Sequence, residues 1–254
     1  MDDAAAHAAA LDAERSWYWR AAAQGTRHPL GLALRDDGVA RAHTLNMLWV
    51  TVREATADEL VAALTALHGH LGHRKAHVDD DALGAALAAP MRERGYAVER
   101  HVYMALRRPR DHEPAAGVAE EVDEVAHAVV EAETTREQPH GSEDEVVAHL
   151  AAARSAIRAA ADTRFFVGSA DGERAAHATL LTEGAVAQLE DVGTLAARRG
   201  RGLARAVCSA AVDAAAGAGL VFVVADADDW PKELYAKLGF DTVGAVWAFT
   251  RDPA

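Results

Sequence analysis

The chain has one cysteine, Cys208, among 254 residues. That excludes an internal disulfide framework and a thiolate zinc cluster, and a reducing compartment is the simplest expectation. No apolar run approaches the ~18 residues of a membrane-spanning helix. The opening segment MDDAAAHAAALDAERSW has acids where a secretory signal would carry bases, so a soluble, cytoplasmic protein is expected. Positive charge is scarce in one half only. The first 110 residues balance 14 basic against 14 acidic residues, and the formal net charge of -13 belongs to the remainder. Between Glu120 and Glu145, ten acids face Arg136 alone. Such a run repels polyanions, so neither nucleic acid nor an anionic membrane is expected as a partner. Nothing in the sequence signals an oligomeric state.

At 50% hydrophobic residues, the chain can bury a substantial core, and its length suits two domains. RRPRDHEPAAG, Arg107 to Gly117, mixes charge with two prolines and lacks an apolar period, as linkers do. The expected division is residues 1–110, a linker at 111–117, and residues 118–254. After the linker, Val118, Val122, Val125 and Val129 are spaced as the inward stripe of one helix with acids opposite. A second helix is predicted over about Glu143 to Ala161, turning Val146, Leu150 and Ile157 inward. Then the period shortens. RFFVGSA and AAHATLLTEG flank Asp171-Gly172, a hairpin signal, and AVAQLEDVGTL reads as a third strand. Leu203, Val207, Ala210, Ala211 and Ala214 form a helix stripe, and LVFVVAD reads as a central strand. Pro231 opens a last helix that Asp228 or Asp229 can cap, and FDTVGAVWAFT is the final strand.

GTLAARRGRGLARAV, Gly193 to Val207, gathers Arg198, Arg199, Arg201 and Arg205 within this acidic half. Gly200 and Gly202 fall between a strand and a helix, where backbone amides lack intrahelical partners and the helix dipole is positive. Without side chains in the way, a phosphate can approach several amides at once, and arginines add charge and forked donors. Neither the P-loop pattern nor the dinucleotide pattern matches. A glycine turn opening a solvated, basic helix would read the same way.

Arg199-Gly200-Arg201-Gly202-Leu203-Ala204, after a strand ending DVGTL and before a helix, resembles the coenzyme A loop of the GNAT superfamily of N-acetyltransferases, Gln/Arg-x-x-Gly-x-Gly/Ala. Further on, ELYAKLGF resembles that family's Leu-Tyr-x-x-x-Gly-Phe motif. The resemblance covers residues 118–254. It implies acetyl-CoA as co-substrate and no metal. It places the pyrophosphate on the amides from Gly200 to Arg205, and the pantetheine arm beside Val192, Gly193 and Thr194. Tyr235 stands where the family commonly has its general acid. Asp228 stands where many members have an asparagine that contacts pantetheine, and a carboxylate cannot donate that hydrogen bond. The attacking amine must be neutral, which calls for a base. Gln188, Glu190, Val192 and Thr194 share one strand face and Asp191 lies on the other unless a bulge shifts the parity. Glu190 is the expected base and Asp191 the alternative. Cys208 reads as helix core, so direct transfer in a ternary complex is expected.

A shift of 144 residues lays MRERGYAVERHVYMAL, Met91 to Leu106, on YAKLGFDTVGAVWAFT, Tyr235 to Thr250, and ELVAALTALHGHLG on LARAVCSAAVDAAA, without a gap. The expected fold is therefore a tandem pair of GNAT-like α/β domains (α+β), each with a mostly antiparallel mixed sheet and flanking helices. The first copy lacks the chemistry: Arg199, Gly202, Ala204 and Tyr235 fall on Ala55, Asp58, Leu60 and Met91. There Thr56 and Glu59 form a capping box whose acids fill the helix start. His68, His70, His73 and His77 have no acid or cysteine at a familiar ligand spacing, and Trp17 and Trp19 read as packing anchors. The expected activity is acetylation of an amine, a small molecule or a cation, with the acids of Glu120 to Glu145 walling the acceptor site. The alternatives are a non-catalytic acyl-CoA sensor and a mycothiol-synthase-like enzyme acting on an amino-sugar conjugate.

Overall fold

The computed structural model describes residues 1–115, 117–139 and 141–252. One position of the expected linker and the last two residues fall outside that range. In chain order the elements are α1 (Asp3–Ala21), β1 (Gln24–His28), β2 (Gly31–Arg35), β3 (Met47–Val50), α2 (Ala57–His68), β4 (Arg74–Val78), α3 (Asp81–Glu93) and β5 (Ala97–Leu106). The second half follows with β6 (Ala119–Val122), α4 (Glu124–Arg136), α5 (Asp144–Arg158), β7 (Asp162–Ala170), β8 (Glu173–Glu183) and β9 (Val186–Thr194). It ends with α6 (Leu203–Ala214), β10 (Leu220–Asp226), α7 (Pro231–Lys237) and β11 (Phe240–Arg251).

All eleven strands form one sheet in the order β1-β2-β3-β4-β11-β5-β10-β9-β8-β7-β6. Neighbours are antiparallel except β3 with β4 and β9 with β10. The order has a two-fold logic. The last strand of each half is inserted between the last two strands of the other: β5 lies between β10 and β11, and β11 lies between β4 and β5. The two halves are one hydrogen-bonded body. Trp49, Tyr103 and Phe222 point to one face, against α1 and α5. Leu48 and Val50 point to the other against Leu60 of α2, as do Met104 and Val223 against Val207 of α6.

Local sequence sets most element ends. The β7–β8 hairpin turns at Asp171 and Gly172 with φ of 55° and 81°, the positive pair its Asp-Gly sequence favours. Asp2, Thr56, Asp80 and Asp123 cap α1 to α4 with their side chains. Two expectations fail. Residues 119–122 pair with β7 as a strand, and α4 starts only after Asp123, leaving Val125 77% and Val129 59% exposed. The face that α4 buries carries His127, Val130, Glu131 and Thr134, because a hydrogen-bonded polar cluster awaits it on the sheet. Asp228 and Asp229 do not cap α7 either: its N-cap is Trp230, with no side-chain cap bond, because Asp226 and Asp229 accept from the Asp228 and Trp230 amides and tighten the preceding turn.

Candidate active site

In the second half the parallel pair opens. β9 and β10 are in register only from Val186–Leu189 against Leu220–Val223, while β9 continues to Thr194 and β10 to Asp226. The cause is a bulge. Asp191 has φ of 49°, and the β8–β9 register slips between His177 and Thr179, which bends the strand away from its neighbour. Beyond the bulge Gly193 faces His177, and a Cβ there would lie 2.2 Å from the imidazole Nε2. Glycine is required at that crossing.

The bulge decides where the carboxylates point. Gln188 and Glu190 share the face that holds α1, α4 and α5. Asp191, expected on the opposite face, is turned onto the same one: its carboxylate meets Arg158 Nη2 at 2.9 Å and Arg154 Nε at 3.1 Å. Burial works to raise Asp191, but the two guanidiniums outweigh it and hold the carboxyl below its ordinary range. Among the described residues no cation lies at hydrogen-bond distance from Glu190, which accepts from Gln188 Nε2 at 2.6 Å. Burial, with the charges of Asp191 and Glu14, pushes its carboxyl well above the ordinary value. Asp191 is thus a spent ion-pair partner and Glu190 the group with proton affinity to use.

Tyr235 lies on the other face. It is 6% exposed among Leu203, Val207 and Phe240, and burial, with Cys208 and Glu190 nearby, raises its hydroxyl above the ordinary phenol value. It stays protonated and able to donate. Cys208 is fully buried, its thiol pushed up to about 12 by burial, so no thiolate is at hand for a covalent step. Val192 turns toward the Tyr235 face, and the Thr194 hydroxyl is buried without a partner among the described residues. The gap between β9 and β10 thus connects the Glu190 face with the Tyr235 face.

Beyond Thr194 the chain reaches the glycine turn. Gly200 and Gly202 have φ of 76° and 78°, and an added Cβ would meet nothing within 4 Å at either. α6 starts on Gly202 without a side-chain cap, unlike α1 to α4. Among the described residues, the amides of Gly200, Arg201, Gly202, Leu203, Ala204 and Arg205 have no backbone partner. An anion with several oxygens fits that cradle. The arginines divide. Arg198 and Arg201 are paired with Asp171 and Glu173 of the β7–β8 hairpin, and Arg199 donates to the Thr194 carbonyl at 3.2 Å. Arg205 has no side-chain partner among the described residues. Asp228 sits exposed on the β10–α7 turn.

Residues that sequence reasoning missed surround this core. His127, Glu131 and His177 bring ligand-type atoms within 4.8 Å of one another. The group does not suit a cation. Glu131 accepts from Arg158 through both oxygens, and the histidine Nε2 atoms meet the Thr134 and Thr179 hydroxyls. The cluster buttresses Asp191 and Gly193. Its signal in the sequence is the polar spacing His127, Glu131, Thr134, Thr135 on one helix face. The four histidines from His68 to His77 do not converge: His68 and His73 bond backbone carbonyls, His70 bonds Asp37, and His77 stacks on Trp49.

A sheet pried apart beside an uncapped helix start, with an acid and a base candidate on either side of the gap, is the framework of an acyltransferase. Residues 125–240 match the family model described as the Acetyltransferase (GNAT) family, and this stretch is a GNAT domain. A GCN5-related N-acetyltransferase from Kribbella flavida has the same fold, with a TM-score of 0.64 at 20% identity, covering 98% of this chain and 96% of that one. A functionally unknown conserved protein from Staphylococcus epidermidis gives 0.68 at 12% identity, covering 90% and 93%. A tandem GNAT protein from the clavulanic acid biosynthesis pathway gives 0.51 at 21% identity, covering 75% and 67%. These likenesses speak for the fold alone. No curated protein matches the chain.

Proposed function

We propose that the chain transfers the acetyl group of acetyl-CoA to an amine by direct attack in a ternary complex, with residues 118–254 binding the coenzyme. The observation that carries this reading is the gap between β9 and β10, with Glu190 on one side and Tyr235 on the other. Acetyl-CoA supplies an activated acyl group as a thioester. The amides from Gly200 to Arg205, helped by Arg199, hold the pyrophosphate. The edge of Val192, Gly193 and Thr194, unpaired toward β10, takes the pantetheine amides. Glu190 accepts the proton that the amine loses as its nitrogen bonds to the acetyl carbon, and Tyr235 gives a proton to sulfur as the C–S bond breaks. Asp228 stays a turn residue at the pantetheine end.

The first half, residues 1–110, holds no second coenzyme in this reading. Its parallel pair stays closed, since the Asp79 amide donates to the Val50 carbonyl at 3.1 Å and continues the ladder past the strand ends. Thr56 caps α2, and Asp58 is paired with Arg94. The acceptor is a cationic primary amine. The acidic run supports this less than expected, because Glu120, Glu121, Glu143 and Asp144 are paired with arginines and Glu131 with Arg158. Even with a proton on Glu190, Glu14, Glu131 and Asp191 against Arg154 and Arg158 leave the face around it net negative. Thiol release from acetyl-CoA with polyamines, aminoglycosides, basic peptides and neutral or acidic amines tests this, with product masses read. Release that depends on a cationic amine is expected. Coenzyme binding with no acceptor-dependent release would favour the sensor alternative.

A further inference from the structure

The first half reaches the Glu190 face through α1. Trp17 is fully buried, stacks on Phe222 of β10 at 6.5 Å, and donates from Nε1 to Glu183 of β8 at 2.7 Å. That anchor fixes the rotation of α1. Ala10, Glu14 and Trp17 then share its inward stripe, and Glu14 is a carboxyl at a core position, 7% exposed. A buried carboxyl needs hydrogen bonds. The Tyr103 hydroxyl of β5 donates to Glu14, and the Gln188 amide of β9 lies against it from the other side. Gln188 is itself 1% exposed and also touches Glu190. A single amide therefore stands between the two carboxyls.

The charge around the pair is lopsided. Asp79 and Lys75 of β4 face Glu14, Tyr18 comes from α1 itself, and Asp191 lies beside Glu190 on β9. Arg154 and Arg158 of α5 are committed to Asp191 and Glu131, and Asp79 to Arg15. Among the described residues no ion pair reaches Glu14 or Glu190. Two buried carboxyls separated by one amide, neither with an ion-pair partner among the described residues, resist ionising together. The amide between them can serve either placement of the one proton. Gln188 Oε1 is buried and accepts nothing. A half-turn of the amide, which leaves its shape unchanged, lets Nε2 donate to Glu14 and puts Oε1 against Glu190. Every polar atom is then satisfied with the O–H on Glu190 and the charge on Glu14; without the half-turn the same holds with the O–H on Glu14 donating to Oε1, and the Tyr103 donor at Glu14 and the Asp191 charge beside Glu190 favour the former.

We propose that Glu14, a residue of the first half, is a positioning residue of the acetyl-transfer site: its negative charge, relayed by Gln188, holds a proton on Glu190 and makes that carboxylate a stronger base. This rests on the reading of Glu190 as the base. Burial, opposed by the hydrogen bonds from Tyr103 and Gln188, places Glu14 at about 7. Burial and the charge of Asp191 raise Glu190 as well, and the acid limb of turnover lies above the ordinary carboxyl range. When Glu190 accepts the amine's proton, the negative charge returns to Glu14 alone.

The test is Glu14→Gln in the full chain, a change that keeps shape and lets the Tyr103 hydroxyl still donate. The acid limb of kcat/KM for acetyl transfer should move down by about one unit, because the like charge is gone, and the plateau should fall because Glu190 becomes a weaker base. In protein labelled with 13C at the glutamate carboxyls and free of substrates, the resonance lost in Glu190→Gln should titrate at lower pH in Glu14→Gln. Tyr103→Phe, which weakens the ionised form of Glu14 without touching Glu190, should move the limb the same way and serves if Glu14→Gln folds poorly. A limb and a Glu190 resonance unmoved in both variants, with only the unfolding temperature changed, would overturn the proposal and leave Glu14 a packing residue. Failure of the underlying reading looks different: Glu190→Gln would then keep wild-type turnover and acid limb, whatever the titration shows.

Discussion

Asp191 and Glu190 are chain neighbours with opposite chemistry, and the difference lies in what each carboxylate touches. Arg158 is 6% exposed and serves Glu131 and Asp191 together. Arg158→Leu strips buried Glu131 of its two-oxygen partner and leaves Asp191 with Arg154 alone, and should cost about 3–5 kcal/mol in urea unfolding at neutral pH. The loss should shrink in acid. Asp191 has a folded pKa below its ordinary 3.8, so its contribution is complete above that value and fades as pH falls through the folded pKa. Tyr235→Phe should lower turnover by about 10²–10⁴ while leaving coenzyme affinity in place, since only the proton donor is lost. Calorimetric binding and steady-state rates separate the two effects. Tyr235 and Glu190 stand out in the sequence through their motif and strand position. Glu14, Tyr103 and Gln188 do not, because residues of α1, β5 and β9 meet only across the sheet.

The comparison that matters among the elements is between α6 and α2, which occupy equivalent places in the two halves. α6 begins on a left-handed glycine with open amides, and α2 on a capping box. Gly202→Asp should abolish acetyl-CoA binding, through like charge at the cradle and a side chain at φ of 78°. Asp58→Ala should leave it unchanged, and titration calorimetry reads both. This contrast is legible in the sequence, since caps and positive-φ glycines are local. The bulge in β9 is not. It depends on Arg154, Arg158 and His177 gathering at Asp191, and the alternation of side chains places Asp191 on the wrong face. α4 misleads for a related reason. Its valines repeat at helical spacing, yet the polar side is the buried one, because hydrogen bonds to Arg158 and His177 are available there and nowhere else.

The exchange of β5 and β11 makes the whole molecule one cooperative unit. Residues 118–254 made alone would lack the strand that pairs with both β10 and β11, so β10 would have no partner on its β5 side. Heat unfolding of the full chain should give a single transition with equal calorimetric and van't Hoff enthalpies. Residues 1–110 and 118–254 made apart should be unfolded or aggregated, and co-expression should recover a stoichiometric complex; two independent transitions would contradict this. The sequence alone determined whatever is written within a few residues: the hairpin at Asp171-Gly172, the helix caps, the glycine turn before α6, and the repeat at 144 residues that reveals two copies of one fold. Only the tertiary structure decided that the copies trade their last strands, that Asp191 turns onto the face of Glu190, and that Glu14 of the first half stands one amide from Glu190 of the second. Those features are pairings between residues far apart in sequence, and their energies depend on burial and on the charges nearby, neither of which any local pattern encodes.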